Sequence, residues 1–107
     1  MPLYELVCIS RAYTAQATMR LAAKHVLDNG GVVRTFQNLG YQTLPYRIKR
    51  HGNVEVHGQY WAMQFYSAPK LLPELQEKLN YEENLIRHTT LKIGDSMKDV
   101  ISKTSKY

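Results

Sequence analysis

The sequence predicts a single α+β domain in which a four-stranded antiparallel sheet carries two helices on one face. Segments rich in β-branched and aromatic residues and two segments of helical periodicity follow in the order strand, helix, strand, strand, helix, strand. The length of 107 residues fits one domain. The content of 44% hydrophobic and 21% charged residues is typical of a globular chain and excludes a disordered one.

The first predicted strand covers residues 3–11, and its apolar side chains fall on both faces, which is typical of a central strand. The first helix is predicted to begin after a Thr14 cap and to end near Asn29. Gly30 and Gly31 supply the stop, because glycine tolerates the left-handed conformation at a helix end. The apolar stripe of this helix consists of Met19, Ala22, Ala23, Val26 and Leu27.

Residues 32–44 are predicted to form the second strand, with a bulge or bend at Gly40 and either an end or an edge position at Pro45. Residues 60–66 form the third strand. The polar and basic stretch from Tyr46 to Gly58 makes these two strands an extended hairpin with a charged tip. Alternation along the third strand directs one set of side chains to the core and the other set away from it: Trp61, Met63 and Phe65 against Tyr60, Gln64 and Tyr66.

The second helix is predicted to start at Pro69 or Pro73 and to run to about Asn80, with Leu71, Leu72, Leu75 and Leu79 as its apolar residues. Residues 85–93 form the last strand, and residues 95–107 form a polar tail, extended or loosely helical. Within residues 1–94 the order β-α-β-β-α-β indicates a ferredoxin-like fold. Two helices cover only one face of such a sheet, so the other face is left for a ligand, a nucleic acid or a protein.

The charge of the chain favours an anionic partner. Fourteen Lys and Arg residues against nine Asp and Glu residues give a net charge of +5. Residues 1–50 contain seven basic and two acidic residues, which accounts for all of this excess, because residues 51–107 contain seven of each. Any electropositive face is therefore built mainly from the first half of the chain.

The sequence shows no arrangement typical of a catalytic or metal site. Cys8 lies among apolar residues in a predicted strand, which indicates a buried core residue in a reducing compartment. The glycine pair at 30–31 precedes a strand, so it is neither a dinucleotide-binding motif nor a P-loop. We expect no enzymatic activity, metal or cofactor, and no membrane span, because apolar runs are short. The histidines also lack metal-site spacing: His25, His51, His57 and His88.

Two segments point towards RNA. From Tyr46 to His51, basic and apolar residues alternate, which suits phosphate contacts on one side of a strand while the other side packs. A solubilising hairpin tip is the alternative explanation. From Gly58 to Phe65, the aromatic content weakly resembles the platform of an RNA-recognition motif, but its aromatic residues are out of register. A stand-alone single-stranded RNA-binding protein of that type therefore stays as an alternative function.

Five stretches of the chain stand in a familiar order: Pro2-Leu3-Tyr4-Glu5-Leu6, Gly31-Val32-Val33-Arg34 followed by Leu39-Gly40, Leu44-Pro45-Tyr46-Arg47-Ile48, the aromatic strand Gly58–Phe65, and Ala68-Pro69. Together they resemble the small-subunit ribosomal protein six family, and the third stretch resembles its mitochondrial branch. The resemblance implies a non-catalytic constituent of the mitochondrial small ribosomal subunit. It also implies binding to small-subunit rRNA together with small-subunit ribosomal protein eighteen and other proteins of the subunit.

Candidate interface residues follow from this resemblance and from the predicted strands. We expect four basic residues to approach phosphates, and three more at strand ends to do so more weakly: Arg34, Arg47, Lys49 and Arg50, then Arg11, Arg87 and Lys92. We expect the protein neighbour to dock on apolar and aromatic residues that two helices cannot cover: Leu39, Tyr41, Leu44, Tyr46, Tyr60 and Tyr66.

The expected location is the mitochondrial matrix, bound to the ribosome, with a bacterial or organellar cytosol as the alternative. No separate presequence is visible in the sequence. Between Glu5 and Asp28 there is no acidic residue, while Arg11, Arg20 and Lys24 lie on or near the first helix. One hypothesis is that residues 1–30 serve as an uncleaved import signal, and the alternative is that they are only the first elements of the domain.

Overall fold

The fold is known from a computed structural model that describes residues 1–94, and this part of the chain contains four strands and two helices in the predicted order. The elements are β1 (Leu3–Ser10), α1 (Ala15–Asp28), β2 (Val32–Arg50), β3 (Asn53–Tyr66), a 3-10 turn (Pro69–Leu71), α2 (Leu72–Asn80) and β4 (Leu85–Gly94). The strand order is β2-β3-β1-β4, and every neighbouring pair is antiparallel. The ferredoxin-like prediction is confirmed. The predicted tail, residues 95–107, lies outside the described residues, so the division into a domain and a tail stays a prediction.

The main core lies between the sheet and the two helices. Trp61, Met63 and Phe65 are fully buried there, which confirms the predicted faces of β3. Cys8 of the central strand β1 is also fully buried, as predicted. The helices contribute apolar residues at helical spacing, among them Ala22 and Val26 from α1 and Leu75 and Leu79 from α2.

A buried chain of hydrogen bonds joins α1 to the sheet inside this core. The Nε1 of Trp61 donates to the Oγ of Ser10 at 2.8 Å, and that hydroxyl lies 2.7 Å from the Oγ1 of Thr18. Thr18 Oγ1 in turn donates to the carbonyl oxygen of Ala15 at 2.8 Å. Each buried hydroxyl and the indole N–H therefore has a partner, which offsets the cost of removing these groups from water.

Two local predictions about α1 are wrong. Thr14 precedes the helix, but its hydroxyl donates to the carbonyl oxygen of Arg11 at 2.6 Å instead of capping a helix N–H. Leu27 is 57% exposed, because it lies about 100° around the helix from the buried Val26. The predicted stop is at the right place, and Gly31 is required there because a Cβ would lie 2.6 Å from the carbonyl oxygen of Tyr66.

The β2–β3 hairpin is longer than predicted. Both strands continue to a two-residue turn at His51 and Gly52, whose φ angles of 50° and 80° are those of a type I′ turn. β2 passes through Pro45 without ending, because β2 is an edge strand and an edge tolerates a missing N–H donor. The predicted bulge at Gly40 is confirmed by its φ of 100° and by a register shift.

Candidate nucleic-acid interface

The outer hairpin, residues 44–57, folds back over the sheet face that the helices leave open. A wide bulge lies between Thr43, which pairs with His57, and Ile48, which pairs with Glu55. It turns Leu44 and Ile48 inwards, so that only 5% and 7% of these residues are exposed. They form a second apolar cluster with Ile86 of β4, and Ile9 and Tyr60 pack against it.

Gly58 marks the point where the hairpin crosses β1. A Cβ at this position would overlap the Cγ2 of Ile9, so only glycine permits the observed approach. Side-chain interactions hold the outer hairpin in place beyond this point. Arg11 Nε lies 3.1 Å from Glu55 Oε1, and Arg50 Nη2 donates to the carbonyl oxygen of Asn80 at 3.0 Å.

The structure brings five of the seven predicted RNA-binding residues to one end of the sheet, around the outer hairpin: Arg11, Arg47, Lys49, Arg50 and Arg87. Lys49 and Arg47 are exposed, and their side chains make no hydrogen bond or ion pair with residues 1–94. The guanidinium of Arg87 lies 5.6 Å from the ring centroid of Tyr46, where a cation–π interaction orients it. This end of the sheet is therefore an electropositive surface, which we call the basic end.

The other two predicted residues lie at the opposite end of the sheet. Arg34 is exposed on β2, and its Nη1 donates to the Oε1 of Gln64 at 3.1 Å. Lys92 lies on β4 opposite Tyr4 of β1. Since β2 and β4 are the two edges of the sheet, Arg34 and Lys92 are also separated from each other by two strands. The register thus separates these two from the basic end.

A cavity of about 360 Å³ opens within the basic end. It is lined by residues of the outer hairpin and of β4: Ile48, Lys49, Arg50, Ile86, Arg87, His88 and Thr89. The Nε of Arg50 is buried and has no hydrogen-bond partner in the described part of the chain. The Nε2 of His88 lies 2.7 Å from the Oδ1 of Asn80. Burial, and secondly the nearby Arg50 guanidinium, lower the pKa of His88, which favours a neutral imidazole at pH 7.

The predicted partner-binding residues do not form one compact patch. Leu44 is buried, so the expectation that it is exposed is wrong; the bulge turns it into the second apolar cluster. Leu39 and Tyr41 are exposed on the edge strand β2, and Tyr46 is 60% exposed near Arg87. Tyr60 and Tyr66 are half-buried on the open face of β3 and six residues apart, which is about 20 Å along a strand.

This geometry gives little support to the alternative function, a stand-alone single-stranded RNA-binding protein of the recognition-motif type. Such a motif stacks bases on exposed aromatic residues of the central strands. The aromatic residue of β1 is Tyr4, which is 4% exposed and packs against Phe65 on the helix side. The open face of β1 carries Glu5, Val7 and Ile9 instead. A base-stacking platform would therefore depend on β3 alone.

Residues 1–94 add features that the sequence reasoning did not single out. Tyr13 is fully exposed in the loop after β1 with a φ of 67°, a conformation rare for a bulky residue. His88 and Thr89 line the cavity, whereas the sequence pattern predicted only that they lie on a strand.

Burial raises the pKa of the Cys8 thiol far above its ordinary value, which disfavours the nucleophilic thiolate. Among residues 1–94 no cluster of His, Cys, Asp and Glu could hold a metal ion, and no helix is long and apolar enough to cross a membrane.

Comparison of the sequence with known proteins finds relatives among small-subunit ribosomal proteins. Small ribosomal subunit protein bS6m of Drosophila melanogaster is 31% identical over 98 residues, which are 89% of this chain and 67% of that protein. The bS6m protein of Bos taurus is 32% identical over 95 residues, covering 86% of this chain and 77% of that protein. The bacterial bS6 protein of Granulibacter bethesdensis is 30% identical over 99 residues, which are 89% of this chain and 62% of that protein.

Comparison of structures supports the fold. The crystal structure of 30S ribosomal protein S6 from Thermotoga maritima superposes with a TM-score of 0.76 at 19% identity, covering 98% of this chain and 95% of that one. Residues 3–92 match the sequence model of the family described as Ribosomal protein S6. Since that match runs from the start of β1 into β4 and so covers most of the chain, the chain belongs to the ribosomal protein S6 family.

Proposed function

We propose that the protein is a structural constituent of the mitochondrial small ribosomal subunit that binds small-subunit rRNA through the basic end. The observation that carries the proposal is the family match over residues 3–92, which supports a place in the small ribosomal subunit. The mitochondrial assignment is supported by the bS6m relatives, which share 31% and 32% identity with this chain. The proposed location is accordingly the mitochondrial matrix, on the ribosome. The proposed role is architectural and not enzymatic.

The geometry of the basic end suits phosphate binding. Arg47 and Lys49 project from a hairpin whose inner side is anchored by Leu44 and Ile48, so the cations are presented on a fixed support. The only ion pair in this end among residues 1–94 joins Arg11 to Glu55, which leaves Arg47, Lys49 and Arg87 uncompensated. Such contacts position the protein on RNA and add a salt-dependent affinity.

The experiment is to measure RNA affinity against salt concentration with a fragment of the small-subunit rRNA. The double variant Arg47→Ala/Lys49→Ala should lower the slope of log affinity against log salt by about 0.7–0.9 for each phosphate contact that is lost. The matched control is Lys70→Ala/Lys78→Ala, which removes two exposed cations near and on α2. An equal effect of both double variants would mean that only total charge matters, and it would remove the basic end as the binding surface.

We propose further that small-subunit ribosomal protein eighteen docks on the open face and on the exposed edge strand. Support comes from Phe36, Leu39 and Tyr41, which are exposed within six residues of one another on the edge strand β2. The half-buried Tyr60 and Tyr66 add aromatic surface on the open face of β3. Exposed apolar residues that lie close together are typical of interaction sites. Aromatic residues are favoured at the centres of interfaces because they bury large areas with few rotatable bonds.

This docking is tested by co-purification of the two proteins after Tyr60→Ser and Tyr66→Ser are introduced together. We expect a weakened complex and a cooperative unfolding transition. Tyr81→Ser is the control, because Tyr81 is 76% exposed after the end of α2 and belongs to neither surface. Retention of the complex in the double variant, with loss in the Arg47→Ala/Lys49→Ala variant, would show that the two surfaces have been exchanged.

A further inference from the structure

The lining of the cavity at the basic end is partly apolar and partly cationic. Neither a bare phosphate nor an uncharged apolar ligand would need both kinds of lining residue. Two of the cavity's lining residues, Ile48 and Ile86, are apolar and almost fully buried. Its remaining lining carries the cations Lys49, Arg50 and Arg87, and none of the described residues that line it is acidic. A bare phosphate would not need the apolar floor, and an uncharged apolar ligand would not need three cations.

The size and the hydrogen-bonding capacity of the cavity fit a single nucleotide. A volume of about 360 Å³ falls within the ordinary range of small-molecule sites. The guanidinium of Arg50 donates through Nη2 to the carbonyl oxygen of Asn80, but its buried Nε has no partner in residues 1–94 and is left as a donor at the cavity. β4 is an edge strand, so the backbone groups on its outer side have no strand partner and are available to a base edge.

From these observations we propose that the cavity receives one unpaired nucleotide of the bound RNA, with its base against Ile48 and Ile86 and its phosphate at Lys49 and Arg87. RNA offers such nucleotides at bulges and loops, where bases are unstacked and can be splayed out, whereas a paired stem does not. A neutral His88 ring at the wall provides a polar edge without adding further charge. This inference rests on the proposed rRNA binding and adds to it the class of nucleotide that is recognised.

The test compares RNA stems that differ only in one unpaired nucleotide. Four stems each carry a single bulged A, C, G or U, and a fifth stem is fully paired. We expect the wild-type protein to bind at least one bulged stem about tenfold more tightly than the paired stem, the scale of one well-held base. Thr89→Trp should abolish this preference, because Thr89 is an exposed lining residue and a large side chain there fills the cavity while every cation stays.

The control is Thr89→Val, which keeps the volume of the side chain and leaves the cavity open, and it should retain the preference. Circular dichroism melts of both variants establish that they fold. A local readout is the NMR signal of the His88 ring, which should shift when a bulged stem is added, whereas His25 on α1 should not.

Each result leads to a decision. A wild-type protein that binds all five stems equally, or a folded Thr89→Trp variant that keeps the bulge preference, overturns the nucleotide site while the proposed RNA binding stands. A free nucleoside monophosphate that shifts the His88 signal as strongly as a bulged stem does, with no bulge preference, assigns the cavity to free nucleotides and also overturns the inference. Failure of the wild-type protein to bind any stem at low salt overturns the proposed RNA binding, and the nucleotide site with it.

Discussion

The Ile48→Ala substitution should destabilise the protein by weakening the packing of the outer hairpin on the sheet. Ile48 is buried in the cluster with Leu44 and Ile86. The substitution removes three carbon groups, each worth about 0.8 kcal/mol when buried, so the lost transfer free energy is about 2 kcal/mol. Cavity formation adds to this, although the site lies near the hairpin end and can partly collapse, which places the total near the lower end of the usual range of about 2–5 kcal/mol.

Denaturant unfolding and thermal melts measure this effect. A loss of about 2 kcal/mol lowers the Tm of a domain of this size by about 8–16 °C. Val54→Ala is the matched control, because it also removes a β-branched residue from the outer hairpin but Val54 is 59% exposed. We expect the control to cost less than about 1 kcal/mol. Equal costs for Ile48→Ala and Val54→Ala would refute the packing of the outer hairpin on β1 and β4.

The remaining predictions concern the core and pH. Phe65→Ala should cost about 3–5 kcal/mol, because Phe65 is fully buried, whereas Phe36→Ala on the edge strand β2, at a position 45% exposed, should cost clearly less; an unchanged melt for Phe65→Ala would mean that the faces of β3 are reversed. Ser10→Ala should cost about 1–3 kcal/mol, because it leaves the buried Trp61 N–H without an acceptor, and unchanged stability would contradict the buried hydrogen-bond chain. His88→Gln should flatten the pH dependence of stability below about pH 6.5. Burial and Arg50 lower the pKa of His88 in the folded state, so the unfolded state takes up the proton first as the pH decreases. The stability of the wild-type protein therefore decreases as the pH is lowered below about 6.5, and identical pH profiles for the wild-type protein and the His88→Gln variant would contradict this.

Local patterns in the sequence predicted the elements and the main core, and long-range packing explains what they missed. The alternation of Trp61, Met63 and Phe65 is a period-2 signal that a strand must obey when helices cover one face. The burial of Leu44 has no such local signal, because it depends on a bulge and on the approach of β1 and β4. Thr14 likewise has a capping residue type, but the carbonyl of Arg11 competes for its hydroxyl.

The candidate site shows the same division. The alternation from Tyr46 to His51 predicted cations on one side of the strand and packing on the other. Arg47 and Lys49 are exposed and Ile48 is buried, in agreement with this pattern, whereas Tyr46 is exposed because the bulge interrupts the alternation. The cavity could not be predicted, because it joins residues 48–50 to residues 86–89 across nearly 40 positions of the chain. The separation of Arg34 and Lys92 from the basic end follows from strand register, which composition does not contain.

Sedimentation of the native protein tests the central claim most directly. A mitochondrial extract is fractionated on a density gradient, and the protein and the small-subunit rRNA are measured in each fraction. Membership of the small subunit predicts that the protein comigrates with that rRNA at moderate salt and stays with it when the two subunits are separated. A protein that remains in the light fractions, while intact small subunits are present in the same gradient, would contradict the proposed function.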